Sequence, residues 1–357
     1  MRLFGRPKQT VGLDIGSGLV KAVVVEHGGG APELVRAVIT PLADDAIVEG
    51  EVMDPAPVAA AVRQTLEAAG EARTRLVVAV GGRDVIVKRI RAARARGAEA
   101  RALLRWEAEQ HVPFDMESVA LDFHVLDPDG EGPEMTVLLA AAKREVVDAK
   151  LRLLDDAGAS PRVVDVEAFA LHNAFEAASV AAGAGGGSGE VGSGGLVALA
   201  NVGHEATTVN VLEDGVPVLT RDLAVGVRRV REDLQRELGL SAAAADALLR
   251  GERPSPQLAP VVGRHAEELA DGVERAAAQL ESIAPDAGPL RALFLCGGGA
   301  RVPGLAAAAA ARLRVRVELA TPLAGVHVRD GALDGLDAEA VAPLLMLPLG
   351  LALRQVA

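Results

Sequence analysis

The sequence predicts a two-lobed α/β protein, and three observations carry that expectation. A strand, glycine turn, strand pattern occurs twice, as VGLDIGSGLVKAVVVEHGG from Val11 and as VALANVGHEATTVNVLEDG from Val197. Between the copies lies a stretch of linker composition, AGAGGGSGEVGSGG at 182–195, too rich in glycine to hold a packed element. The first half also carries an extra α+β pattern over about 85–158. A chain of 357 residues fits two domains of roughly 100–200 residues each.

The elements follow in order. Thr10–Ile15, Val20–Glu26 and Glu33–Thr40 are short β-prone runs separated by Gly16-Ser17-Gly18 and Gly28–Gly30, a meander signature. Pro57–Ala69 has helical periodicity and stops at Gly70; Arg75–Val80 is a run suited to a buried strand. Val85–Ile90 is a strand and Ala98–His111 a helix ended by Pro113. Ser118–Leu126 and Glu134–Ala142 flank Asp129-Gly130, a hairpin signal. Glu145–Ala157 is a helix stopped by Gly158, followed by a strand at Pro161–Val166 and a helix at Ala168–Ala178.

After the linker the pattern restarts with strands at Leu196–Asn201, Thr207–Glu213 and Val216–Leu223. Helices follow at Val227–Leu238, Ser241–Arg250 and Gln257 to about Ile283. Leu290–Cys296 is a last core strand, broken by Gly297-Gly298-Gly299 before a helix at Pro303–Arg312. The expected organisation is lobe 1 at 1–181, linker 182–195, lobe 2 at 196–335 with a small helical subdomain at about 228–288, and 336–357 returning to lobe 1.

Composition narrows the function classes. Half the residues are hydrophobic, which suits a globular protein. The formal charge of −12 argues against a general nucleic-acid binder. Cys296 is the single cysteine, so no internal disulfide can form, and a reducing, cytoplasmic compartment fits. MRLFGRPKQT has no apolar stretch behind its basic residues and is not a signal peptide. The uncharged stretch Ala340–Leu353 contains Pro343 and Pro348 and falls short of the roughly 20 apolar residues of a membrane span.

Three motifs carry chemistry. The first is Gly12-Leu13-Asp14-Ile15-Gly16-Ser17-Gly18 with Lys21. A tight turn between strands can point backbone N–H groups inward and hold phosphate. Glycine permits close approach, Ser17 offers a hydroxyl and Lys21 a charge. A carboxylate at Asp14 would repel bare phosphate, so it makes sense mainly with Mg²⁺, held through water. The second motif, Asn201-Val202-Gly203-His204-Glu205 with Thr207-Thr208, has the same form, and two facing hairpins can clamp one polyphosphate. The third is Leu293–Ala300, a strand ending in Gly297, Gly298 and Gly299, whose flat backbone can lie against an adenosine. Each has a plainer reading: an ordinary glycine hairpin, a turn with its usual asparagine, and a glycine run serving strand–helix packing. A lone turn histidine such as His204 is ordinarily just solvated.

In this order the three motifs resemble the actin, heat-shock chaperone and sugar-kinase superfamily, with Pro161–Ala178 and Leu347–Arg354 similar to its two connecting helices. The resemblance implies a two-lobed actin-like (ribonuclease H-like) fold binding ATP or ADP with Mg²⁺. The insert position is similar to subdomain 1C of the cell-division protein FtsA. Arg105-Trp106-Glu107-Ala108-Glu109-Gln110-His111-Val112-Pro113-Phe114, Ala142–Val147, Asp165–Leu171 and Thr321–Gly325 closely resemble the type IV pilus assembly family PilM.

That resemblance implies a nucleotide set of Asp14, Gly16, Ser17, Gly18, Lys21, Asn201, Gly203, Thr207, Thr208, Gly226, Asp246, Arg250 and Gly297–Gly299. Asp246 and Arg250 stand where relatives carry a ribose-binding Glu and Lys. Asn201 replaces an Asp that helps hold Mg²⁺, which puts hydrolysis in doubt and leaves nucleotide binding intact. The implied partner is the cytoplasmic N-terminal segment of PilN, bound in a groove walled by the insert near Trp106 and Phe114. Through the PilN/PilO complex the protein would sit at the cytoplasmic face of the inner membrane, with only indirect membrane association.

Trp106 itself is expected in the insert's core by default. Lys88 to Arg105 is the densest basic stretch, either a solvated face or a surface for an anionic partner. Two alternatives stand beside the pilus reading. A small-molecule kinase would need a carboxylate facing an acceptor hydroxyl, and the sequence shows no convincing one. An FtsA-like filament protein would end in an amphipathic membrane helix, whereas this chain ends LALRQVA.

Overall fold

The computed structural model describes residues 8–28, 30–70, 75–181, 195–283 and 287–355; nearly all of the linker stretch 182–195 lies outside the described residues. The first half contains β1 (Lys8–Ile15), β2 (Leu19–His27), β3 (Glu33–Pro41), a small hairpin of β4 (Ile47–Val48) and β5 (Glu51–Val52), α1 (Pro55–Ala69) and β6 (Leu76–Val80). The insert follows as β7 (Val85–Ala93), α2 (Gly97–His111), β8 (Val119–Val125), β9 (Glu134–Lys143) and α3 (Arg144–Asp156), and the half closes with β10 (Val163–Val166) and α4 (Glu167–Ala181). The second half contains β11 (Leu196–Val202), β12 (Thr207–Glu213), β13 (Val216–Leu223), α5 (Val227–Leu238), α6 (Ala242–Leu249), α7 (Leu258–Ile283), β14 (Leu290–Cys296), α8 (Leu305–Leu313) and β15 (Arg316–Leu319). The chain ends with β16 (His327–Val328), a short α9 (Ala338–Val341) and α10 (Met346–Leu353).

The duplication read from sequence is a duplication of sheet topology. The first sheet runs β10-β6-β1-β2-β3 and the second β15-β14-β11-β12-β13. In each, an antiparallel meander is flanked by two parallel strands that enter after helical connections. The central parallel strand β6, LVVAV, is buried along its whole length, as expected of a strand covered on both faces. Local chemistry sets the helix ends: Asp54 caps α1 through the Ala56 N–H ahead of Pro55, and Ser241 caps α6 through the Ala244 N–H.

Two features depart from the expected organisation. The chain rejoins the first sheet at β16, which pairs with β3 through His327 and Val328, so the return to lobe 1 precedes 336. The insert also contacts lobe 2. Its strands β7, β9 and β8 continue the second sheet past β13 through one bridge, Leu219 opposite Lys88.

Helices α4 and α10 lie between the sheets and tie the lobes together. Val77 and Leu171 of lobe 1, Leu199, Leu212 and Cys296 of lobe 2, and Leu347 and Leu351 of α10 form one buried cluster. Two glycines make the approach possible. A Cβ on Gly12 of β1 would stand 2.0 Å from the Pro348 carbonyl oxygen, and one on Gly350 of α10 would stand 1.7 Å from the Ala170 carbonyl oxygen. Only hydrogen fits at either place.

Candidate functional site

The two repeated hairpins face each other between the lobes. Each closes its turn identically: the Gly16 N–H donates to Leu19 O at 3.0 Å, and the Gly203 N–H to Ala206 O at 2.9 Å. Each also sets its polar strand residue against the same cross-strand position, Asp14 opposite Lys21 and Asn201 opposite Thr208. The tips meet, since a Cβ on Gly18 would lie 3.2 Å from His204 Cγ. His204 is therefore half-buried at the junction rather than simply solvated, and burial followed by the charge of Arg231 pushes its pKa down. Its imidazole is neutral at physiological pH.

The hairpins differ in charge. Lys21 Nζ lies 2.5 Å from Asp14 Oδ2, and the two side chains are 12% and 10% exposed. In the second hairpin the threonines depart from the expected role. Thr207 is fully buried and its hydroxyl donates to Val225 O at 2.6 Å, so it faces into lobe 2. The Thr208 hydroxyl donates to Asp222 Oδ1 at 2.8 Å. Burial raises the Asp222 carboxyl, with the Thr208 bond opposing the rise.

The remaining predicted positions gather around this hairpin with distinct tasks. A Cβ on Gly226 would stand 2.4 Å from the Glu205 carbonyl carbon, so the start of α5 lies against the tip. The first α5 amides are used there, Val227 N–H donating to Gly203 O and Arg228 N–H to His204 O. Gly297, at φ 82°, would clash with Asn201 Oδ1 if it carried a Cβ; Gly299 would clash with Val202 and Val227. Both glycines serve packing, whereas Gly298 is exposed with open space above its Cα. Gly298 alone presents the flat surface expected of the triplet. Asp246 Oδ2 lies 3.9 Å from Arg231 Nη1. Arg250 is turned to solvent, its Nε 2.5 Å from Glu252 Oε1. Cys296, the residue before the glycine triplet, is fully buried and its thiol is pushed up to about 12 by burial, which rules out a reactive thiolate.

Two groups at the site were missed by sequence reasoning. Glu167, the first residue of α4, is half-buried, and its pKa rises to about 7, first through desolvation and then through the charge of Asp14. A Cβ on Gly81 would stand 2.4 Å from its carboxyl. The available signal was an acidic residue opening a helix directly after a strand, facing the Gly81-Gly82 pair. The second group crosses the cleft. Asp44 pairs with Arg231 at 3.2 Å, Asp45 with Arg228 at 2.7 Å, and the Glu49 N–H donates to Glu205 at 2.6 Å. Asp45 and Glu49 hold positive φ, 62° and 50°, a conformation uncommon outside glycine.

The insert corrects one more expectation. Trp106 is 57% exposed rather than in the core. The buried stripe of α2 is Leu104 and Ala108, which continues to Val112 and packs on Val137 and Leu139 of β9. Phe114 is partly buried against that core, with Lys143 Nζ 5.0 Å from its ring centre. Much of the basic stretch is spent on structure. Arg94 binds Asp127 and three backbone carbonyls, and Arg89 pairs with Glu213 of β12.

Among the described residues no group of three or more His, Cys, Asp or Glu side chains is disposed to hold a metal ion, and no helix is long and apolar enough to cross a membrane. A Mg²⁺ ion with phosphates and water as most of its ligands still fits the site. Mg²⁺ ordinarily takes only one or two carboxylates from the protein, and Asp14 supplies one.

Twin sheets around crossed helices, with paired hairpins at the cleft, define an actin-like ATPase fold. Solved structures agree: MreB 5 of Spiroplasma citri, bound to AMPPNP, is 10% identical at TM-score 0.50 over 97% of this chain and 95% of that one. The ethanolamine utilization protein EutJ of Carboxydothermus hydrogenoformans is 17% identical at TM-score 0.57 over 98% and 90%. A chain of the PilM–PilN type IV pilus biogenesis complex is 28% identical at TM-score 0.78, over 98% of both chains. The family model for type IV pilus assembly protein PilM matches residues 12–356. The chain belongs to that family.

Proposed function

We propose that this protein is a nucleotide-binding scaffold of the type IV pilus assembly machinery that recruits the cytoplasmic N-terminal segment of PilN. The family match over residues 12–356, together with the likeness along the whole chain to a PilM–PilN complex, carries this reading. The protein then works at the cytoplasmic face of the inner membrane, held there by PilN and PilO rather than by a span of its own. Trp106, a large exposed aromatic on the insert, suits an anchor for an apolar peptide.

Residues 16–18 and 203–205 would hold the phosphates of ATP or ADP between the hairpins, and Gly298 would lie near the adenosine. Mg²⁺ supplies charge neutralisation of the phosphates. Asp14 would hold it through water, and Lys21 fixes the Asp14 carboxylate. Asn201 contributes an uncharged amide where a carboxylate would strengthen the metal site. Glu167, with a pKa of about 7, is poised to accept a proton from a water near the phosphates.

The deciding measurement is a pull-down of the full chain with the cognate PilN N-terminal peptide, with and without ATP and Mg²⁺. Retention of the peptide is expected, and a folded protein that ignores it under both conditions overturns the scaffold reading. Calorimetry with ATP and Mg²⁺ tests the site independently. Phosphate release is expected far below the roughly 10 per second typical of enzymes, and Asn201→Asp should raise it while leaving binding in place.

A further inference from the structure

A cavity of about 370 Å³ lies where the insert meets lobe 2, away from the facing hairpin tips. That volume falls within the range of small-molecule pockets, roughly 300–1,000 Å³. Its walls are the first half of β7 and the last half of β13. Each strand is paired on its far side, β7 with β9 along its length and β13 with β12 apart from a bulge at Val218, but they pair with each other only at Lys88 and Leu219. Where they part, Gln279 and Leu280 of α7 close the gap. Val87, Val218 and Leu280 give it a buried apolar surface.

Two cations enter from opposite lobes, and each contacts a neutral group. Lys88 Nζ lies 3.4 Å from His111 Nδ1, and Arg221 Nη2 donates to Gln279 Oε1 at 2.9 Å. Burial and the nearby Lys88 lower the His111 pKa, so the ring stays neutral. The other two arginines of the lining are offset, Arg83 by Glu49 at 3.4 Å and Arg89 by Glu213. The carboxylate lining the cavity, Asp222, has its charged form disfavoured by burial. A chain with net charge −12 thus encloses a cavity of positive balance, which attracts and orients anions.

We propose that this cavity is a second ligand site, for a small molecule whose phosphate or carboxylate group sits between Lys88 and Arg221 and whose apolar body rests on Val87, Val218 and Leu280. The occupant bridges the insert and lobe 2 at the one point where their strands join. Asp222 belongs both to the cavity wall and to the Thr208 hydrogen bond, so occupancy reaches the second hairpin.

The full chain, saturated with ATP and Mg²⁺, is titrated by calorimetry with phenyl phosphate and, separately, benzoate, up to about 10 mM. Saturable binding of either probe is expected, and the preferred one tells a phosphate ester from a carboxylate. Lys88→Gln and Arg221→Gln should each weaken it about tenfold, the loss of one charge-assisted hydrogen bond. Both side chains reach solvent, and unchanged melting temperatures confirm that the variants are folded. Binding of neither probe, binding indifferent to both substitutions, or binding seen only when nucleotide is withheld overturns the proposal. Because the hairpin site is filled throughout, failure here leaves the nucleotide reading standing.

Discussion

The two hairpins share a turn, a register and a position in their sheets, yet one is charged and the other neutral. In the first, Asp14 and Lys21 form a nearly buried ion pair; in the second, Asn201 and Thr208 occupy the same positions. They also differ one step down the strand. Gly12 of β1 lies under α10, and its counterpart on β11, Leu199, fills the cluster between the lobes. Duplication thus produced two equal frames, and the closing helix and the metal-facing carboxylate each select one of them.

Making the frames alike should break the protein most severely. Gly12→Leu places a side chain where a Cβ alone would stand 2.0 Å from the Pro348 carbonyl oxygen. Loss of the folded state, seen as a missing cooperative melt, is expected, since overpacking against backbone is not relieved by side-chain rotation. The reciprocal Leu199→Ala leaves a cavity and should cost about 2–5 kcal/mol in denaturant unfolding while the fold survives.

Neutralising the first hairpin comes next. Asp14→Asn leaves Lys21 without its partner in a nearly buried place, and breaking such pairs costs about 3–5 kcal/mol. The double substitution Asp14→Asn with Lys21→Thr copies the second hairpin and should recover most of the stability without recovering Mg²⁺-dependent nucleotide binding. A double variant no more stable than Asp14→Asn alone would show that the penalty is not the stranded lysine.

A smaller effect separates the charged hairpin from its neighbour Glu167. This carboxyl has a folded pKa of about 7 against 4.5 ordinarily, so the folded state keeps a proton that the unfolded chain releases. Native stability therefore falls as pH rises from about 4.5 to 7. Glu167→Gln should remove the penalty, gaining up to about 3 kcal/mol above pH 7 at roughly 1.4 kcal/mol per pH unit and nothing near pH 4. Urea melts at the two pH values measure it, and equal gains at both would contradict the assignment.

The smallest effect concerns what holds the frames together. Arg228→Gln removes the pair to Asp45 and the contacts to Glu205 and Glu232. Partly exposed pairs contribute about 0.2–1 kcal/mol each, so a small drop in melting temperature is expected, shrinking in high salt. A salt-independent loss would assign the role to packing.

Much of the framework is legible without coordinates. The three meander strands of each half, the insert hairpin around Asp129-Gly130 and the long helix α7 lie close to where periodicity and turn residues place them. The candidate site was legible in part. Asp14, Gly16, Asn201 and Gly203 take up the facing hairpins, but the Thr207 hydroxyl turns away and Gly299 is packing. Trp106 shows why: its signature placed it on a helix, and which face of α2 is buried was decided by Ala100, Leu104, Ala108 and Val112. At about 100° per residue, Trp106 lies roughly opposite that stripe.

By itself the sequence determined what neighbouring residues can settle: the strands and helices, the glycine turns, the repeat that sets Asp14 against Asn201, and the family. Contacts distant in sequence were decided only by tertiary structure. The joining of β7 to β13, the burial that moves the Glu167 carboxyl, the reach of Asp44 and Asp45 to α5, and the cavity between Lys88 and Arg221 are of this kind. A helix or strand imprints its period on adjacent residues. A pairing between residues 88 and 219, or an ion pair between residues 44 and 231, leaves no period in the sequence, because it exists only once two independently folded faces are brought together.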